Sequence, residues 1–117
     1  MAYQAIHRHA RISARKVRPL ADLIRGLRAD DALSVLGSQP HRGARMLEKV
    51  LRSAMANAED RRASNLANLV VVEAKVDGGP MFKRIRPRAR GTAFTILKRT
   101  SHISVAVDVP AGSPSTT

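Results

Sequence analysis

The sequence contains no cysteine, so neither a disulfide nor a thiolate metal site can hold the fold together. It has no tryptophan, and Tyr3, Phe82 and Phe94 are its only aromatic residues, too few for a base-stacking platform of the RNA-recognition type. No apolar run is long enough to span a bilayer, and the first residues lack the apolar stretch of a secretory leader. The lack of cysteine fits a reducing compartment, and no membrane partner is expected. Acid is the other scarcity. Nine Asp and Glu stand against 21 Lys and Arg, for a net charge of +12 over 117 residues. Self-repulsion at that density opposes compaction unless an anionic partner screens it.

The distribution of charge is more telling than its total. Residues 1–21 carry Arg8, Arg11, Arg15, Lys16 and Arg18 and no acid. Residues 22–60 hold six bases and six acids, and are neutral. Residues 78–107 carry Lys83, Arg84, Arg86, Arg88, Arg90, Lys98 and Arg99, again without an acid. A neutral middle between two cationic ends predicts a folded body with two contact surfaces for a polyanion.

Hydrophobic spacing predicts the body. Residues 2–10 read as a short strand. Ser13 is placed to cap a first helix whose Val17, Leu20, Ala21 and Ile24 share one face, with Gly26 as the stop. Pro19 conflicts with a regular helix, so the helix is expected either to start near it or to be distorted before it. Asp30 and Asp31 suit the positive start of a second helix, with Ala32, Leu33 and Leu36 inward and Gly37 at its end. Pro40 is expected in the first turn of a third helix. There Leu47, Val50, Leu51, Ala54, Met55 and Ala58 form the clearest amphipathic stripe in the chain, and fraying is expected near residues 61–65. The period then changes to two. Val70, Val72, Ala74 and Val76 are expected on the buried face of one strand, and Ile103, Val105, Val107 and Val109 on that of another. One domain over residues 1–109 accounts for these elements, followed by a small polar tail, 110–117, expected to be disordered.

Between the two strands lies a segment with no core pattern, in which apolar residues are scattered among cations. If it doubles back near Pro87 and Gly91, it forms a two-stranded arm of roughly 30 Å at about residues 78–102. Such an arm is marginal alone and needs a surface to hold it. Lys and Arg along it would neutralise phosphates, and Met81, Phe82, Ile85, Phe94 and Ile96 could wedge against bases or ribose. His7 and His9 have a spacing that metals sometimes use, but no third ligand lies nearby, so no metal or other cofactor is expected. Ser101 and His102 have no neighbouring carboxylate to orient the imidazole, and no glycine-rich nucleotide loop is present, so catalytic residues are expected to be absent. A DNA-bending protein with a β-ribbon arm remains an alternative on these grounds, as does an RNA-directed enzyme.

Three stretches narrow the choice. HRHARISARKVRPLADLIRG, LRSAMANAED and FKRIRPRARGTAFTILKRTSHISVAV occur in that order, and together they resemble the bacterial form of the universal large-subunit ribosomal protein twenty-two family over about residues 2–109. The most specific part is Pro87-Arg88-Ala89-Arg90-Gly91 followed by Lys98-Arg99-Thr100-Ser101-His102-Ile103. The resemblance implies an α+β fold of three helices packed on a small antiparallel three-stranded sheet, with a long protruding β-hairpin. It implies a ribosome-bound structural protein that binds large-subunit (23S) rRNA early in assembly, contacts neighbouring large-subunit proteins, and lines the nascent-peptide exit tunnel with its hairpin. The basic residues named above, together with His102, become the expected rRNA contacts. Residues 81–95 become the tunnel end, with Met81, Phe82, Lys83, Arg84, Arg88, Ala89, Arg90, Gly91 and Thr92 at or near the tip. The chain departs from the family at Thr92, where a basic residue is usual, and at Pro19, which replaces an apolar helix residue.

Overall fold

The computed structural model describes residues 2–61, 68–87, 89–91 and 93–109. Its elements run β1 (Tyr3–Ala10), α1 (Ala14–Ile24), α2 (Ala29–Gly37), α3 (Arg42–Asp60), β2 (Val70–Gly78), β3 (Phe82–Pro87), a short 3-10 turn (Ala89–Gly91), β4 (Ala93–Lys98) and β5 (Ser101–Asp108). Strands β1, β5 and β2 form an antiparallel sheet in that order, and β3 pairs with β4 in a second, two-stranded sheet. The expected fold class is the one found: three helices on a three-stranded antiparallel sheet, with a hairpin projecting from it.

The amphipathic stripe of α3 builds the core. Leu47, Val50, Leu51, Ala54 and Ala58 are buried, with Met55 half-buried at their edge. They pack on β1 and β5, where Ile103, Val105 and Val107 point inward at every second residue. Helix α1 lies over β2 and buries Val17, Leu20, Ala21 and Ile24. The outer edge of β2 is covered by the chain between α1 and α2. Gly26, in a left-handed conformation at φ 82°, donates to the Val71 carbonyl at 2.9 Å, and Val71 donates back to Leu27 at 2.9 Å. Further along, Arg25 donates to the Ala74 carbonyl through Nε (2.9 Å) and Nη2 (2.6 Å), and Arg18 Nε donates to that of Val76 at 3.1 Å. Edge carbonyls that could template another strand are thereby occupied.

Four local expectations need correction. Helix α1 begins at Ala14 and passes through Pro19, so only the hydrogen bond to the Arg15 carbonyl is forfeited. Ser13 occupies the N-cap position, but its hydroxyl makes no capping bond. Pro40 precedes the cap residue His41 and lies outside α3. In β2 the inward set is Val71, Ala74 and Val76, while Val72 is 52% exposed. A bulge causes this: Val71 pairs with Val107 and Glu73 with Ala106, so Val72 is an extra residue and the phase of the strand flips there. The fraying expected at 61–65 and the disordered tail fall largely or wholly outside the described residues.

The arm is not a plain continuation of the sheet. The β2–β5 ladder ends at Gly78 opposite Ser101, and the β3–β4 ladder starts at Phe82 opposite Lys98. Three residues on one strand face two on the other across the joint. Gly79 donates to the Thr100 carbonyl at 2.9 Å, and the buried Thr100 hydroxyl donates to that of Pro80 at 2.6 Å. A Cβ on Gly79 would lie 2.5 Å from Thr100 Oγ1, so this crossing requires glycine. Beyond it every residue of β3 is exposed, and the molecule measures 73 × 25 × 19 Å.

Candidate nucleic-acid interface

The two acid-free segments, some seventy residues apart in the chain, meet at the root of the arm. An open cleft of about 1040 Å³ has Arg11, Ser13 and Lys16 on one wall and Arg84, Lys98 and Arg99 on the other. No described residue lining it is acidic. Residues 11–13 bring the first wall here because they connect the end of β1 to the start of α1. The cross-strand register of the hairpin brings the second.

That register also divides the arm into two unlike faces. Opposed residues in an antiparallel pair share a face, and successive residues alternate. Phe82 and Lys98, Arg84 and Ile96, and then Arg86 therefore fall on one side. Lys83 and Leu97, Ile85 and Thr95, and Pro87 and Ala93 fall on the other. The first side carries three cations and the second one. Ile85, on the second side, is 74% exposed. At the tip, Arg90 (φ 64°) and Gly91 (φ 72°) are both left-handed, a conformation that glycine adopts without strain and arginine does not. The expectations for Arg88 and Thr92 lie outside the described residues, as do the side chain of Ala89 and that of Phe94.

A second cleft, of about 590 Å³, lies between the starts of α1 and α3. It is shared by Arg11, Arg15, Lys16, His41 and Arg42. The Arg42 guanidinium donates to the Arg11 carbonyl, which ties α3 to the segment before α1. Neither helix has an acid in its first turn or a side-chain capping bond, whereas α2 carries Asp30 and Asp31 there. Cations at the positive end of a helix oppose its dipole, and exposed N–H groups at such an end suit an anion. His41 and Arg42 escaped notice in the sequence. The signal was present in HRGAR: Arg42 and Arg45 stand where a helix start normally favours acid.

The remaining expected contacts are dispersed. Arg8 is exposed on β1 and lines neither cleft. Arg18 is exposed but gives its Nε to Val76. Arg86 and Arg90 lie along the arm beyond the clefts, and Lys83 lies between two residues of the first cleft but on the other face of the arm. His102 anchors a bulge in β1: the His9 N–H, at φ 58°, donates to His102 Nδ1 at 3.1 Å, and the rings meet edge to face with centroids 4.9 Å apart. Since Nδ1 accepts, the neutral His102 ring carries its proton on Nε2. His7 and His9 do not line up as paired ligands, and among the described residues no group of three His, Asp or Glu could hold a metal. No described helix is long and apolar enough to cross a membrane.

No described acid lines either cleft, although Asp77, opposite His102, stands near the root of the arm. Asp108 pairs with Val70 at the end of the sheet remote from the arm, and α2, with Asp30 and Asp31, starts beside that end through the Arg28–Val70 bridge. Among the described residues, the ion pairs Arg25–Asp22, Arg45–Glu48, Arg52–Glu48 and Lys75–Glu73 all lie in the body. Positive charge is thus concentrated at the arm end with no carboxylate set against it in either cleft.

A family model described as ribosomal protein L22p/L17e matches residues 5–108. Three curated relatives bear the description large ribosomal subunit protein uL22. The protein of Rhodopirellula baltica is 57% identical over 110 residues, covering 90% of this chain and 92% of its own. That of Caldicellulosiruptor saccharolyticus is 54% identical over 100 residues (86% and 82%). That of Desulfotalea psychrophila is 46% identical over 108 residues (92% and 98%).

Proposed function

The chain belongs to the ribosomal protein L22p/L17e family, and from that premise we propose that it is a structural constituent of the large ribosomal subunit that binds 23S rRNA. One observation carries the binding: two basic segments distant in sequence form the walls of one cleft without a single acidic residue lining it. Binding here needs no catalysis. Lys and Arg displace counterions from the RNA backbone, and the neutral helical body keeps them in register.

Residues 1–109 act as one domain, and the arm is its extension into RNA. The three-cation face of the arm, Arg84, Arg86 and Lys98, continues the first cleft and is suited to phosphate. The opposite face, with Ile85, Leu97, Pro87 and Ala93 beside the single cation Lys83, is suited to a surface with less charge. This asymmetry supports the arm as part of the wall of the exit tunnel, with RNA on one side and the nascent peptide on the other. Early binding during subunit assembly, contact with neighbouring large-subunit proteins, and a cytoplasmic, ribosome-bound location follow from the same role. Sucrose-gradient sedimentation after a high-salt wash tests it. The chain should remain with large subunits; its recovery only at the top of the gradient would contradict the proposal.

A further inference from the structure

The surface assigned so far leaves Pro19 without a use, and Pro19, His41 and Arg42 all line the second cleft. Proline has no backbone N–H, and its ring crowds the carbonyl four residues earlier. In α1 that carbonyl is Arg15's. Arg15 and Pro19 lie one turn apart on the same face of the helix, and both line the cleft. The Arg15 carbonyl oxygen therefore lacks its helical donor where Arg11, Arg15, Lys16 and Arg42 supply positive charge. The wall beneath is tight. A Cβ on Gly43 would come within 3.2 Å of the Leu20 side chain and 3.3 Å of those of Ile12 and Val17, so α1 and α3 are held close under the cleft.

Cations alone would suit any polyanion. An acceptor freed among them does not help to bind phosphate, which itself only accepts. It suits a ligand that presents a donor beside its phosphate, as RNA does through the ribose 2′-hydroxyl and DNA does not. We infer that the α1–α3 cleft reads the RNA backbone: Arg11, Arg15, Lys16 and Arg42 hold a phosphodiester, and the Arg15 carbonyl accepts a hydrogen bond from an adjacent 2′-hydroxyl. The site presupposes the rRNA binding proposed above. It adds a preference for RNA over DNA that requires no contact with a base, and it gives Pro19 a role in the middle of a helix.

The test uses the full chain and the 23S rRNA fragment that it binds most tightly, prepared with ordinary ribose and with 2′-fluoro ribose, which keeps the A-form pucker but cannot donate. The wild type should prefer ordinary ribose. Pro19→Ala and Pro19→Leu, which return an N–H to the Arg15 carbonyl, should each lose about two- to tenfold of that preference, the worth of one neutral hydrogen bond. Circular dichroism should show both variants as helical as the wild type. Arg42→Gln should weaken both forms of the RNA alike and reduce the slope of log affinity against log salt by about 0.7–0.9. An unchanged ribose preference in the two proline variants, or an unchanged slope in Arg42→Gln, would overturn the site while leaving rRNA binding intact. Failure of the wild type to bind any fragment in a salt-dependent way would instead remove the rRNA proposal and this site with it.

Discussion

In the body, Ile103, Val105 and Val107 of β5 are sealed beneath the helices, whereas on β3 of the arm all six residues face solvent. Both are antiparallel β-structure with regular pairing, so backbone hydrogen bonding does not distinguish them. What differs is the second layer. The sheet of the body has α1 and α3 against it, and its stability is that of a buried apolar core. The arm has no second layer of its own, and a two-stranded ribbon in water is marginal. The comparison teaches that one chain can carry two sources of order: a core for the body, and an external polyanion for the arm.

Core truncation should separate the two regions most sharply. Ile103→Ala removes a fully buried side chain and should cost about 2–5 kcal/mol, close to the whole stability of a small domain. Ile85→Ala, on the exposed arm, should change stability by less than about 0.5 kcal/mol. Thermal unfolding of the free proteins checks both, and similar losses would erase the distinction between body and arm.

Charge removal should act in the opposite sense. Arg84→Ala with Lys98→Ala should leave the unfolding temperature of the free protein within about 1–2 °C, because neither residue touches the core. The same pair should reduce the salt slope of rRNA binding by about 1.4–1.8, two contacts at the nucleic-acid scaling. Filter binding across a salt series measures the slope, and a drop in folding stability instead would show the arm to be part of the core.

The joint between the regions should show a smaller effect. Thr100→Val removes the hydrogen bond to the Pro80 carbonyl, at a cost of about 0.5–1.5 kcal/mol. The loss should appear as faster amide exchange at Gly79 and Phe82, with the core amides of β5 little changed. Smallest of all is a titration in the body. The Glu73 carboxylate, hydrogen-bonded to the Lys75 ammonium, raises the pKa of Lys75 above its ordinary value. Its contribution is present below the unfolded pKa of the lysine and is lost as pH rises through the higher folded value, so it fades only in alkali. Glu73→Gln should lower the Lys75 midpoint in an NMR titration and leave rRNA binding unchanged.

Much of the body was legible in the sequence because its elements obey their own periods. The α3 stripe predicted Leu47, Val50, Leu51, Ala54 and Ala58, and the alternation of β5 predicted Ile103, Val105 and Val107, though it missed Ala106, which is buried on the other face. Prediction failed where a single residue changed the phase. Val72 is an inserted residue, and nothing in VVVEAKV marks which valine is the extra one; its pairing partner across the sheet decides. Pro19 failed differently. Helix breaking was the sound local expectation, and the packing of Val17, Leu20, Ala21 and Ile24 overrides the loss of one hydrogen bond. The basic residues of the candidate interface were visible as two acid-free stretches, but their convergence was not, since it depends on β1 and β5 pairing at the root of the arm. Arg42 was overlooked because it belongs to the neutral middle of the chain, where charge counted by segment averages it away, and His41 because it carries no charge in such a count.

Amide hydrogen exchange, measured on the free protein and on the same protein in purified large subunits, tests most directly whether the arm draws its order from outside. The core amides of α3 and β5 should be protected in both states, and those of β3 and β4 only in the subunit. Equal protection of β3 and β4 in the free protein would contradict the account, since the ribbon would then be stable without RNA.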